Sequence, residues 1–541
     1  MRRIILVSLA FCVIAGCGAE EGDRGSGTVP DSLRYGGTVV TAYLAEASSM
    51  NHFTATDENA LELQGFVLFT TLARYDENLT PVPYLAERWE TTESQNGLQL
   101  TFYLHDDVRW HDGTPTTAWD VKFTFDRIKD ETSASPRQSL LTLYDSASVV
   151  DSFTVRFYLQ RHPGFIDPWT VITPMPRHIL GEVPPNQLAL HPFGTESPVG
   201  NGPFRFVEHR PGDRWVFEAN ADFPESLGGR PYIDRLVYRV IEEQTARLTE
   251  FLAGEVDIYI SVAPDQVEAM KNQAGRRIVA YPTRAYTFIN WNERLPLFQD
   301  ARVRRALTLA IDRQRIVDLV RYGYGELARG PVPPFHWAYY DELEPLPYDP
   351  EAAGALLDSA GWSDRDGDGV RERDVIKASF ELRTHPNPTR EDVITLIQSD
   401  LAKVGVEARL RVQEAQSLRV DITSSERPFD AFVLGWNADF RLDDRILFAC
   451  SQVDGPFQWA GYCNPRVDEI LDQVTRTENR SNALPLWREY QQIIQWEQPY
   501  TFLYYDVRPN GIRDRVHDVA MDIRGNFINV QSWWVAPADR P

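Results

Sequence analysis

The residue types best equipped for chemistry fall in four short stretches. His111-Asp112, just ahead of Gly113, could be half of the His–Asp pairing that activates a nucleophile. Neither a G-x-S-x-G elbow nor an H-E-x-x-H helix occurs in the chain, so a lipid-anchored hydrolase, the competing functional class, lacks its remaining parts. Asp364, Asp366, Asp368 and Gly369 fall at positions 1, 3, 5 and 6 of a calcium loop, but Val375 stands at position 12 in place of the bidentate Glu. A polar turn is the alternative there, and no metal is assigned. Arg383, His385 and Arg390 cluster where a strand, Lys377 to Arg383, opens onto a helix, Arg390 to Lys403. Ligands of open α/β sheets sit at such carboxyl ends of strands, facing helix N-termini, which puts these three at a cleft edge. The apolar run from Phe429 reaches Gly435-Trp436-Asn437 and then presents Asp439. Burying that carboxylate costs free energy unless a cation meets it, which makes it the strongest position for holding a ligand.

Strands and helices must position these groups. Leu100-Thr-Phe-Tyr-Leu104 alternates apolar and polar residues and leads into the turn at Gly113, where glycine can take a positive φ. Thr117 is placed as a helix N-cap, with Asp120 three residues on as in a capping box and Val121, Phe125 and Ile128 on one face. A helix is expected over Leu61 to Leu72 and another over Ala246 to Ala253, ended by Gly254. Strands are expected over Gly36 to Tyr43, Glu255 to Ile260 and Ala285 to Asn292. Gly200 and Gly202 imitate part of a phosphate loop, but no Walker or dinucleotide fingerprint is present and Pro203 withholds a backbone donor. The arginines at 302, 304 and 305 are bracketed by Asp300 and Asp312, so they read as structural ion pairs rather than a nucleic-acid stripe.

The order of these motifs resembles one family. Trp110-His-Asp-Gly-Thr-Pro115, followed by Thr117-Ala, Asp120-Val and Phe123-Thr, is similar to the signature of the extracellular solute-binding proteins of family 5. Tyr84 to Trp89, Pro198 to Phe204, Gly254-Glu-Val-Asp257, Arg302 to Asp312 and Asn464 to Leu471 resemble further family elements in the same order. The resemblance implies an α/β, two-lobed periplasmic-binding-protein fold of class II, peptide-binding type, with hinge strands between lobes. Its expected parts are lobe I over 36–284, with an inserted subdomain at about 52–194, lobe II over 285–505, and a return to lobe I over 506–541. The implied activity is capture of a small solute, most of all a short peptide, for an ABC importer, with permease and ATPase subunits as partners. Oligosaccharide- and metal-chelate-binding members are the alternatives, and the 14 tryptophans leave room for sugar stacking. Neither catalysis nor a cofactor is required. Ligand contacts are expected at Asp439, Trp436 and Asn437, with Arg383, His385 and Arg390 at the edge. In oligopeptide-binding members the aspartate at the place of Asp439 pairs with the ligand's α-amino group. Some also carry an arginine for the peptide carboxylate at the place of Val433, so that clamp must come from elsewhere here.

The N-terminus has the layout of an export signal. Arg2-Arg3 and the apolar run Ile4 to Ile14 precede Ala15-Gly16-Cys17, which matches a bacterial lipobox. Residues 1–16 are thus expected to be a lipoprotein signal, Cys17 the lipidation site, and 17–35 a flexible tether to the cell-envelope membrane. The composition, 43% hydrophobic with a net charge of −23, supplies more than one core and disfavours nucleic acid and anionic membranes as partners. A monomer is expected. Cys450 and Cys463 are the two cysteines left in the exported part. They suggest one disulfide, as in dipeptide-binding relatives, whereas two cysteines without nearby histidines do not fill a zinc site.

Overall fold

The computed structural model describes residues 30–540, apart from 95–96, 161–163, 165, 441 and 478–479. The signal, Cys17 and most of the tether lie outside the described residues. One large sheet runs through the molecule. Its strands are β1 (Thr38–Tyr43), β2 (Phe204–Arg210), β3 (Arg214–Ala219), β4 (Arg235–Val240), β5 (Ile258–Tyr259), β6 (Arg276–Trp291), β7 (Gly325–Leu327), β8 (Ser379–Thr384), β9 (Glu407–Val412), β10 (Ala431–Asn437) and β11 (Tyr500–Arg513). They lie in the order β9-β8-β10-β6-β11-β5-β1-β4-β3-β2, with β7 added on β11.

The two long strands, β6 and β11, join the halves. Arg276 to Pro282 pairs with Val507 to Arg513 beside the first half, and Tyr286 to Asn290 pairs with Tyr500 to Tyr505 in the second. The register shifts between Pro282 and Tyr286, where an irregularity lets paired strands bend. One core gathers Val39 through Ile260 with Ile512 through Val535. Two more cover the opposite faces of the second half of the sheet. Ile289, Trp291, Ala431 and Val433 point to one, and Tyr286, Phe288 and Phe432 to the other, as strand alternation requires. Both faces are covered, so these strands read as continuous apolar runs.

An inserted four-stranded sheet (Ala86–Ser94, Gly97–Leu104, Tyr144–Asp151, Thr154–Leu159) carries the helix Ala118–Lys129. The helix starts as expected. The Thr117 N–H donates to the Asp120 carboxylate at 2.8 Å, and Val121, Phe125 and Ile128 are buried. The helix expected over Leu61 to Leu72 is displaced. It begins at Glu58, because the Asp57 carboxylate accepts from the Ala60 N–H at 2.8 Å, and passes into a π turn over Leu63–Leu68. It stops there because the Leu68 carbonyl accepts from the Gly202 N–H at 2.9 Å. The close approach needs glycine, since a Cβ on Gly200 would lie 1.9 Å from that carbonyl oxygen. The strand expected over Glu255 to Ile260 shrinks to β5, because the Asp257 carboxylate bonds the Val40 N–H and pairs with Arg515 instead of extending the ladder.

Candidate functional site

β10 ends where the two halves face each other. Asn437 pairs with Ala285 across β6, and the Ala438 N–H donates to the Arg284 carbonyl at 3.0 Å, so the chain beyond is held at the register break. There Asn437, Asp439 and Phe440 line a cavity of about 630 Å³, a volume suited to a small organic ligand. The facing wall comes from the first half and the C-terminal return, with Glu62, Phe66, Arg74, Arg137, Asp167 and Arg524 among its members. Side chains of both charge signs thus share one chamber with apolar surface.

The facing wall is electrostatically loaded. Glu62 is buried, and its carboxylate accepts from Asn526 Nδ2 at 2.9 Å. Burial, with Glu58 nearby, pushes its carboxyl up to about 7 despite the opposing Arg508. Arg524 forks onto Asp522 at 2.9 and 3.1 Å through Nε. The Arg74 guanidinium lies 3.4 Å over the Tyr84 ring, and that of Arg284 lies 5.3 Å over Phe440. Arg137 is 6% exposed, and its Nη1 has no hydrogen-bond partner.

Of the residues expected to hold ligand, Asn437 and Asp439 line this cavity, and the other four do not. Trp436 packs edge-on against Phe457 and Trp459, each at 5.7 Å, and so braces the end of β10. Arg383 is spent on Glu381 and Asp421, the latter at 2.8 Å. His385 bonds Arg390, whose guanidinium occupies the room left by Gly435, 3.2 Å from where a Cβ would stand. Val433 points into a core. Glu62 and Arg137 were not legible as site residues in the sequence. The one signal near Arg137 is the Ser133-Ala-Ser-Pro136 break that ends the capped-helix region.

The remaining motifs are architectural. The His111 ring bridges two of them: Nδ1 accepts from the Gly200 N–H at 3.2 Å, so Nε2 donates to the Gly202 carbonyl at 3.0 Å. Burial lowers its pKa to about 4, keeping it neutral. Asp112 pairs with His178 instead, at 2.6 Å. Asp364, Asp366 and Glu372 bring carboxylate oxygens within 4.8 Å of one another, and the Lys377 ammonium sits beside Asp368 and 3.6 Å from Asp366. That lysine supplies positive charge to the turn. Asp300 pairs with Arg302 at 2.7 Å and Arg304 with Glu293 at 3.2 Å, while Asp312 caps the next helix at the Arg315 N–H. Cys450 and Cys463 form a disulfide, which closes the loop carrying Phe457 and Trp459.

Two α/β lobes joined by a strand pair, with a mixed-charge chamber lined by both, have the architecture of a solute-binding protein. The chain belongs to the bacterial extracellular solute-binding proteins, family 5, whose sequence pattern matches residues 80–455. It is 30% identical over 541 residues, 99% of this chain and 98% of the relative, to the oligopeptide-binding protein AppA of Bacillus subtilis (strain 168). The solved structure of AppA from Bacillus subtilis with a nonapeptide has a TM-score of 0.75 and covers 93% of this chain and 100% of that one, at 30% identity. NikZ from Campylobacter jejuni, solved with Ni(L-His), shares the fold at 24% identity, with a TM-score of 0.74, covering 94% of this chain and all of that one. Among the described residues no helix is long and apolar enough to cross a membrane.

Proposed function

We propose that this protein captures short peptides between its two lobes and delivers them to the permease of an ABC importer. The observation that carries the reading is the chamber itself, which Asp439 lines together with Arg74, Arg137 and Arg524. A peptide is a zwitterion with an apolar or variable middle, and such a chamber offers each end an opposite charge. Asp439 holds the α-amino group, Asn437 the adjoining backbone, and Trp436 keeps the end of β10 in place. Bending at the register shift between Pro282 and Tyr286 closes the lobes. Closure removes water from the Asp439–ammonium pair and strengthens it. Cys17 carries the lipid that tethers the monomer to the cell-envelope membrane, and permease subunits driven by an ATPase take the solute.

Thermal unfolding of the lipid-free protein against di- to pentapeptides, cello-oligosaccharides and nickel with histidine tests this. Ligand at a hundred times Kd adds about 2.7 kcal/mol of stability, so a true cargo raises Tm visibly. A shift with peptides that disappears in Asp439→Ala is the expected result. Shifts with sugars or nickel–histidine alone would overturn the peptide reading.

A further inference from the structure

Four arginines line the chamber, and three of them are already engaged. Arg524 is forked onto Asp522, Arg74 is stacked on Tyr84, and Arg284 lies over Phe440. Arg137 lacks such a partner. It is buried, with 6% of its surface exposed, makes no side-chain ion pair or ring contact among the described residues, and leaves Nη1 without a partner. Its backbone is tied down: its N–H bonds the Ser135 hydroxyl and its carbonyl accepts from the Leu140 N–H, with Pro136 and Leu140 on either side also lining the chamber. The main chain at Arg137 is therefore fixed, while its guanidinium has no counter-charge among the described residues.

A buried cation without an anion is expensive, by several kcal/mol, unless something brings the anion. Desolvation alone lowers the Arg137 pKa to about 10, still far above physiological pH, and no carboxylate raises it. The group stays charged and waits in the chamber. A guanidinium presents two parallel N–H donors that match a carboxylate's two oxygens, which a point-charge ammonium does not. Val433 points into a core and cannot supply the carboxylate clamp.

We propose that Arg137 is the carboxylate receptor of the chamber, taking the anionic end of a peptide whose amino end lies at Asp439. This rests on the peptide reading above and adds to it the residue that selects for an anion. The carboxylate can come from the peptide C-terminus or from an acidic side chain, and the test separates these sources.

The purified full chain and its Arg137→Gln variant are dialysed against two randomised tri- to pentapeptide libraries, one with free C-termini and one amidated, and retained peptides are read by mass spectrometry. The wild type is expected to retain free acids over amides by roughly tenfold or more, the worth of a charge-assisted bidentate bond, and R137Q to retain both equally. Amides enriched in Asp and Glu by the wild type, and not by R137Q, identify a side-chain carboxylate as the source and still support Arg137. The unliganded variant should melt no lower than the wild type, because an uncompensated charge has been removed. Should R137Q fail to fold, Arg137→Lys carries the test: it keeps the charge, loses the fork, and should show a several-fold weaker acid preference. An acid preference unchanged in both variants overturns the role of Arg137 while leaving the peptide reading intact. Retention of no peptide by the wild type overturns both.

Discussion

On the lobe II wall of the chamber, Asn437 and Asp439 hang from the end of one strand whose apolar run, Gly-Trp pair and following carboxylate are contiguous in the chain. On the lobe I wall, Glu62, Arg137 and Arg524 come from three segments 75 and 387 positions apart in sequence, assembled by the π turn after Glu62, the inserted sheet region and the C-terminal return. The first wall is braced from behind by aromatic packing of Trp436 on Phe457 and Trp459 and carries its carboxylate exposed. The second buries Glu62 and Arg137 before any ligand arrives, while Arg524 is already paired with Asp522. One wall therefore carries its carboxylate in the open, and the other holds two charged side chains under desolvation.

The contrast can be broken first at Asp439. Replacing it with Asn should cost about 3 kcal/mol in affinity for peptides with a free amino group, near a hundredfold in Kd. N-acetylated peptides should bind both forms equally in calorimetric titration; equal losses for the two peptide types would remove the ammonium partner from this wall.

Opening the Cys450–Cys463 disulfide with a double Ser substitution should lower stability by a comparable amount, about 3 kcal/mol from the entropy of the freed loop. Denaturant titration checks this, and peptide affinity should fall as well, because Phe457 and Trp459 lose their fixed place under Trp436. Unchanged affinity in the folded double variant would show that the bracing is dispensable.

The lobe I wall should reveal itself by pH. The Glu62 carboxyl sits at about 7 in the fold against an ordinary value of 4.5. Between those values the native state binds more protons than the unfolded chain, so stability falls as pH rises through this window. Going from pH 5 to pH 7 should cost about 2 kcal/mol, and Glu62→Gln should flatten that slope. An unaltered slope in the variant would place the titration elsewhere.

The smallest effect belongs to the scaffold behind that wall. Asp120→Ala removes the reciprocal cap on the Thr117 N–H and an acceptor for the Arg177 N–H at 2.9 Å. About 1 kcal/mol of stability should be lost, with no change in peptide affinity. A shifted affinity would mean that the capped helix transmits to the chamber.

Much of the scaffold was legible because its signals are local. Capping boxes, glycine turns and alternating strands are decided within a few residues, and the helix at Ala118–Lys129 and the disulfide followed directly. The displaced helix at Glu58–Leu68 shows where this fails: its end is set by Gly200 and Gly202, more than a hundred residues away. Arg383 shows the same limit at the site. It lies at the carboxyl end of a strand, where ligands gather, yet Glu381 and Asp421 take its charge.

The sequence by itself determined the family, because motif order survives without any knowledge of distance, and the resemblance to that family implied the two-lobed architecture and a role for the carboxylate beyond Gly435-Trp436. Only the tertiary structure decided which charges are spent and which are left over. Counter-ions are chosen by proximity across the fold, so Arg137, one arginine among many in the chain, becomes distinctive only when no carboxylate among the described residues is found to pair with it.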